Sequence, residues 1–211
     1  MKAIFDSVSY QCSKNITKRY STSFSLAVKM VSPSLRQDIY NIYGFVRLAD
    51  EVVDTFHEYD KKRLFGDFEK ALQDALKHKI SLNPVLNSFQ HTVHRYQIED
   101  ELIDAFMRSM KTDLTKTVYT NKEEYRAYIY GSADVVGLMC LRVFVKSDNE
   151  KYNALKDAAM ALGSTFQKIN FLRDLRADYE LLERSYFPGI NFNTLTEAEK
   201  YTIITDIEND L

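Results

Sequence analysis

Wound as an α-helix, the stretch Gly163-Ser-Thr-Phe-Gln-Lys-Ile-Asn-Phe-Leu-Arg-Asp-Leu-Arg-Ala-Asp178 sorts its side chains into two faces. Gly163, Gln167, Asn170, Asp174 and Asp178 fall at i, i+4, i+7, i+11 and i+15 and share one of them. Leu162, Phe166, Ile169, Leu172 and Leu175 fall on the other, a face made for burial. A strip of amides and carboxylates beside a strongly apolar helix needs a chemical reason. A divalent metal holding a diphosphate supplies one.

The rest of the chain favours long helices too. Three prolines and six glycines in 211 residues leave little room for a many-turned β architecture, so the expected class is all-α. That length suits one core, and with no repeats or linkers the expectation is a single domain over residues 1–211. Residues 1–18 read as one amphipathic helix, followed by the hydroxyl-rich run Arg19-Tyr-Ser-Thr-Ser-Phe-Ser25. Such a run beside Lys18 and Arg19 suits a phosphate, and equally suits an ordinary helix cap or turn.

Ser32-Pro33-Ser34 marks the start of a helix to about Thr55, with Ile39, Ile42, Val46, Ala49 and Val53 as its apolar side. Its other side carries Tyr43, Arg47, Asp50 and Asp54, again at i, i+4, i+7 and i+11. Further helices are expected over 61–79, from Asn83-Pro84 onward, over 99–110, over 121–145 and over 153–183. Gly131 and Gly137 lie inside the helix over 121–145, where glycine costs about 1 kcal/mol relative to alanine, so they point to close packing or room for a ligand. Thr196-Glu-Ala-Glu199 has the form of a capping box, and the sequence ends inside the helix it opens.

A spacing of four between aspartates proves little by itself, because it occurs four times. Asp100/Asp104 sits on a charged face with Arg108 one turn on, and Asp206/Asp210 sits among Glu208 and Asn209; both read as solvated. Asp50/Asp54 and Asp174/Asp178 differ in their neighbours, Tyr43 and Arg47 in one case, Gln167, Asn170 and Arg173 in the other. Carboxylates one turn apart repel unless a cation or proton intervenes. Magnesium takes one or two carboxylates and completes its shell with water and phosphate oxygens, while arginine offers a forked donor set to the phosphates. The rival reading is a pair of salt-bridged surface faces.

Other classes recede. A net charge of −2 removes the general electrostatic case for nucleic acid. Cys12 and Cys140 have no metal-type spacing and read as thiols in a reducing cytoplasm. The N-terminus lacks the pattern of a signal peptide, and no window approaches the roughly 18 apolar residues of a membrane span. His57, His78, His91 and His94 have no metal-site context and read as structural.

Four blocks then combine. Tyr20-Ser-Thr-Ser-Phe24, Tyr43 through Arg47 to Ala49-Asp-Glu-Val-Val-Asp54, Tyr128-Ile-Tyr-Gly-Ser-Ala-Asp-Val-Val-Gly137 and Gln167 through Asp178 resemble the squalene/phytoene synthase family, in the family's order and across almost the whole chain. The run Asp134-Val-Val-Gly-Leu-Met-Cys-Leu141 is most similar to bacterial phytoene synthases.

The resemblance implies an isoprenoid synthase helical bundle around a central cavity. It implies head-to-head condensation of two prenyl diphosphates through a cyclopropyl diphosphate, with magnesium, or manganese in its place, as cofactor. Carried across, Asp50, Asp54, Asn170, Asp174 and Asp178 would bind metal. Tyr20, Ser21, Thr22, Ser23, Tyr43, Arg47, Gln167 and Arg173 would contact diphosphate or substrate, and Tyr128 would sit by the reacting carbons, its ring facing the cation and its hydroxyl helping to move a proton.

Geranylgeranyl diphosphate giving phytoene is the expected reaction. Farnesyl diphosphate giving squalene or dehydrosqualene is the alternative, with a terpene cyclase or a non-catalytic helical scaffold behind it. No Gly-rich dinucleotide loop argues for NADPH. Cytoplasmic location with peripheral membrane contact suits an insoluble product. Family members continue for further helices, so the resemblance also implies an incomplete pocket and weak or absent turnover for these 211 residues alone.

Overall fold

In the computed structural model the elements run α1 (Lys2–Tyr20), α2 (Thr22–Met30), α3 (Arg36–Asp54), α4 (Lys61–His78), α5 (Pro84–Tyr96), α6 (Asp100–Asp113), α7 (Lys122–Ile129), a π-helical turn (Tyr130–Asp134), α8 (Val135–Phe144), α9 (Asn149–Leu182) and α10 (Glu197–Glu208). The structure describes residues 1–182, 186–188, 190 and 195–210, with the side chains of 175–182 outside the description. Among the described residues every regular element is helical.

Helix starts follow local chemistry. Asn83 accepts from the Val85 and Leu86 amides, and Pro84 occupies the first helical position, where its missing N–H is no loss. Asp60 and Asn121 cap α4 and α7 in the same way. Thr196 and Glu199 form the full capping box that their spacing predicts. The hydroxyl-rich run is itself a junction: Ser21 closes α1 and caps α2 by accepting from the Phe24 amide, a helix the sequence reading passed over.

The chain forms two compact units, Met1–Asp100 with Met139–Asn153, and Glu101–Leu138 with Ala154–Leu211. In the first, α1, α3 and α5 pack on one another, α4 lies against α3 and α5, and α2 lies against α1 and α3. Phe45 stacks on Phe89 with ring centroids 3.9 Å apart. α1 turns hydroxyls inward, with Ser9, Ser13 and Thr17 buried and Ile4 and Val8 exposed. Ser13 bonds Ser88 at 2.6 Å, and a Cβ on Gly44 would lie 2.9 Å from the Ser13 hydroxyl, so the helices meet through small polar residues. Tyr10 bonds His91 at 2.9 Å, a packing role for that histidine.

In the second unit the core is aromatic: Tyr119, Tyr125, Tyr128, Phe171, Tyr186 and Phe187 with Ile129, Ile203 and Ile207. The glycines serve close approach. A Cβ at Gly131 would meet Ser109 Cβ at 2.7 Å, one at Gly137 the Ala159 carbonyl at 2.8 Å, and one at Gly163 the Ala133 carbonyl at 3.0 Å.

Three expectations change. Leu162, Phe166, Ile169 and Leu172 are not buried: they are 52%, 59%, 44% and 38% exposed. α9 instead buries the arc of Thr165, Lys168 and Phe171, because Phe171 stacks on Tyr186 at 4.0 Å and Lys168 pairs with Asp206 of α10 and with Asp210 just beyond it. Leu175 lies outside the described side chains. Second, Val46 is only half-buried, its place in the core taken by Phe45. Third, the helical run over residues 122–144 is long and apolar enough to cross a membrane; its apolar residues Ile129, Val135, Met139 and Val143 are buried within the fold.

Candidate active site: two acid-bearing helix faces

On α3 the side chains of Tyr43, Arg47, Asp50 and Asp54 share one half-buried face, as their spacing requires. Arg47 organises it. Its Nη1 donates to Asp50 Oδ2 at 2.5 Å and its Nη2 donates to Glu51 Oε2. Burial works against the charge on Arg47, but Asp50 and Glu51 outweigh it and hold the guanidinium pKa up. The Tyr20 ring lies 4.6 Å beneath the guanidinium, and Tyr43 stacks on Phe24 at 4.7 Å. The α1–α2 junction therefore brings Tyr20 and Ser21 to the strip, with Thr22 and Ser23 exposed beside them at the start of α2. The Arg47 Nε–H is buried and meets no acceptor.

In the other unit α9 carries the second strip. Gln167, Asn170 and Asp174 are half-buried, and Gly163 serves packing against the π turn. Arg173 donates to both Asp174 oxygens, Nε to Oδ1 at 2.8 Å and Nη2 to Oδ2 at 2.5 Å. Asp178 follows on the same helix, its side chain outside those described.

Tyr128 ends up in the aromatic core of this unit. Its ring lies 4.6 Å from Tyr119 and 5.5 Å from Tyr186, and its hydroxyl donates to Asp113 at 2.9 Å. Burial, then the Asp113 charge, pushes its pKa far above the ordinary tyrosine value, so the phenol stays protonated. The π turn begins two residues later, and Ser132 within it donates to the Tyr128 carbonyl at 2.8 Å.

Three participants were missed from sequence. Glu51 was readable, one residue from Asp50 and one turn from Arg47. Asp113 and Lys168 carried no spacing signal, because Tyr128 lies 15 residues from Asp113, while Asp206 lies 38 residues from Lys168 and Asp210 lies farther still.

The donor sets fit hard-cation chemistry of one kind. Among the described residues no three of His, Cys, Asp and Glu converge to cage a metal. Single or paired carboxylates next to a guanidinium suit a cation that brings its own phosphate and water ligands. A cleft of about 320 Å³ lined by Ser34, Leu35, Arg95, Tyr96, Lys146 and Ser147 shares no residue with either strip.

Comparison with known proteins places these features. The profile of the squalene/phytoene synthase family matches residues 17–198. Chloroplastic phytoene synthase 1 of Zea mays is 30% identical over 166 residues, 77% of this chain and 40% of that protein. The phytoene synthase of Arthrospira platensis is 27% identical over 181 residues, 81% of this chain and 58% of that protein. The chain thus spans about two fifths to three fifths of these relatives.

The fold is shared with the crystal structure of a dehydrosqualene synthase in complex with ligand, at TM-score 0.84 and 22% identity over 97% of this chain and 75% of that one. It is shared also with a squalene synthase from Alicyclobacillus acidocaldarius, at TM-score 0.79 and 22% identity over 96% and 81%. The helices are those of an isoprenoid synthase fold, and the chain belongs to the squalene/phytoene synthase family.

Proposed function

We propose that the protein is a magnesium-dependent prenyltransferase that joins two geranylgeranyl diphosphates head to head to give phytoene. The observation that carries this reading is Arg47: two of its nitrogens hold Asp50 and Glu51, Tyr20 lies beneath it, and its buried Nε–H has no acceptor. A diphosphate oxygen is the acceptor such a donor suits.

Asp50 and Asp54 would hold metal on α3, and Asn170, Asp174 and Asp178 on α9. When bound, magnesium would neutralise charge on the leaving diphosphate as a Lewis acid. On α3, Arg47 would clamp diphosphate oxygens, Tyr43 would orient them, and the hydroxyls of Ser21, Thr22 and Ser23 would add donors; on α9, Arg173 and Gln167 would do the same for the phosphate oxygens at that strip. Leu162, Phe166 and Ile169, exposed on α9 beside its polar strip, would cover the prenyl chain and keep water from the carbocation. The protein would act as a peripheral one, delivering an insoluble product at a membrane surface.

The structural likeness to dehydrosqualene and squalene synthases supports a second reading, with farnesyl diphosphate as substrate. Incubation with each prenyl diphosphate and magnesium, with and without NADPH, separates the two by product mass. A single-substrate cyclic product would instead mark a terpene cyclase. Asp50→Asn and Asp174→Asn should each lower product formation by about a hundredfold or more, and should remove magnesium-dependent diphosphate binding in calorimetry. Unchanged binding in both variants would leave a helical scaffold as the reading.

A further inference from the structure

Asp113, the last residue of α6, is 6% exposed and accepts from two tyrosines, Tyr128 at 2.9 Å and Tyr119 at 3.1 Å. Burying a carboxylate is expensive unless hydrogen bonds satisfy it. Apolar packing alone would be met by phenylalanines and a neutral residue, so the charge calls for another purpose. A phenol that donates to a carboxylate is locked in orientation, and its ring becomes more electron-rich. The two rings lie 4.6 Å apart, and Tyr186 stacks on both, at 5.8 Å from Tyr119 and 5.5 Å from Tyr128. Ser109 and Ser132 donate to the Tyr128 carbonyl, so backbone and hydroxyl of this residue are both held.

We infer that Asp113 is a positioning residue that acts through Tyr128, and secondarily Tyr119: it fixes the two hydroxyls and lends negative potential to the buried aromatic cluster, through which Tyr128 would stabilise a carbocation formed next to it. On this view the Tyr128 hydroxyl is an anchor and not a proton carrier. The inference rests on the prenyltransferase reading and on the place beside the reacting carbons that the family resemblance implies for Tyr128.

The test pairs Asp113→Asn with Tyr128→Phe. Asparagine keeps one acceptor oxygen and the side-chain shape but removes the charge. Each variant should lower kcat by about ten- to a hundredfold with KM within about twofold, the scale on which small misplacements act. The double variant should be no slower than the slower single variant. Asp113→Asn should also shift the ¹³Cζ resonances of Tyr119 and Tyr128 in labelled protein, at an unchanged fold by far-UV circular dichroism. Asp113→Asn at full kcat, single losses that multiply in the double variant, or unmoved tyrosine resonances would each overturn the inference. If the parent protein makes no prenyl product at all, the functional reading fails first and takes this one with it. The resonance shift then still reports on the Asp113 pair by itself.

Discussion

Lys168 Nζ lies 2.7 Å from Asp210 Oδ2, although the lysine side chain is only 7% exposed. It also reaches Asp206 Oδ2 at 2.8 Å and the Asp206 carbonyl at 3.0 Å, so one buried cation ties α9 to α10. Asp206 and Asp210, alike in sequence to a solvated pair, are the other half of this tie. Lys168→Met should leave both carboxylates unpaired and cost about 2 kcal/mol, between the limits for exposed and buried pairs because Asp206 is half-exposed. Chemical denaturation measures the loss, and hydrogen exchange should show it concentrated in α10. Adding Asp206→Asn and Asp210→Asn should recover part of it.

Asp134, in the π turn, gives a pH dependence. Burial pushes its carboxyl pKa up; the Ser164 hydroxyl, donating at 2.8 Å, and Lys168 oppose this, while Asp210 adds to it. Between the ordinary value of 3.8 and the raised folded value, the folded state holds a proton that the unfolded state has lost. Stability contributed by this group therefore falls as pH rises through that window. Asp134→Asn keeps an acceptor for Ser164 and removes the titration. It should melt above the parent protein at neutral pH, with the advantage gone below pH 3.8. Equal differences at both pH values would contradict the assignment.

The helices were legible where chemistry is local. Asn83-Pro84 and Thr196 with Glu199 announce their helix starts within four residues, and scarce proline lets the long elements run. The α3 strip was legible for the same reason, since Arg47, Asp50 and Glu51 meet within one turn. α2 was not, because Ser21 serves as the end of one helix and the cap of the next, and a hydroxyl run reads equally well as a turn. The buried face of α9 was misread because the helix has two usable arcs. Hydrophobicity favours Leu162, Phe166 and Ile169, whereas the neighbours provided are the aromatic core for Phe171 and, for Lys168, Asp206 of α10 with Asp210 just beyond it. Those neighbours are remote in sequence, and periodicity contains no record of them.

Two glycines in helices should respond in opposite ways. Gly66, in α4, has nothing within 4 Å of where a Cβ would stand, so Gly66→Ala should stabilise by about 0.5–1 kcal/mol through helix propensity. At Gly137 the new Cβ would lie 2.8 Å from the Ala159 carbonyl, a backbone atom that cannot swing aside. Gly137→Ala should cost about 1–3 kcal/mol despite the same propensity gain. Urea titration of the two variants against the parent gives both signs, and a stabilised Gly137→Ala would mean that α8 and α9 are not in close contact there.

The exposed arc of α9 gives the sharpest contrast between sequence pattern and structure. A buried phenylalanine contributes transfer energy and fills volume, so its loss costs about 3–5 kcal/mol. Phe171, 3% exposed and stacked on Tyr186, is such a residue, and Phe171→Ala should show that loss. Phe166 stands five residues earlier on the same helix but is 59% exposed, so little apolar area leaves water when the chain folds. Phe166→Ser should change stability by no more than about 0.5 kcal/mol, since serine and phenylalanine differ little in helix propensity. If Phe166 covers the prenyl chain as proposed, the same substitution should raise KM for the prenyl diphosphate or divert product to the water-quenched alcohol, at unchanged melting temperature. A large loss of stability from Phe166→Ser would return the helix to the orientation that its hydrophobic pattern suggests.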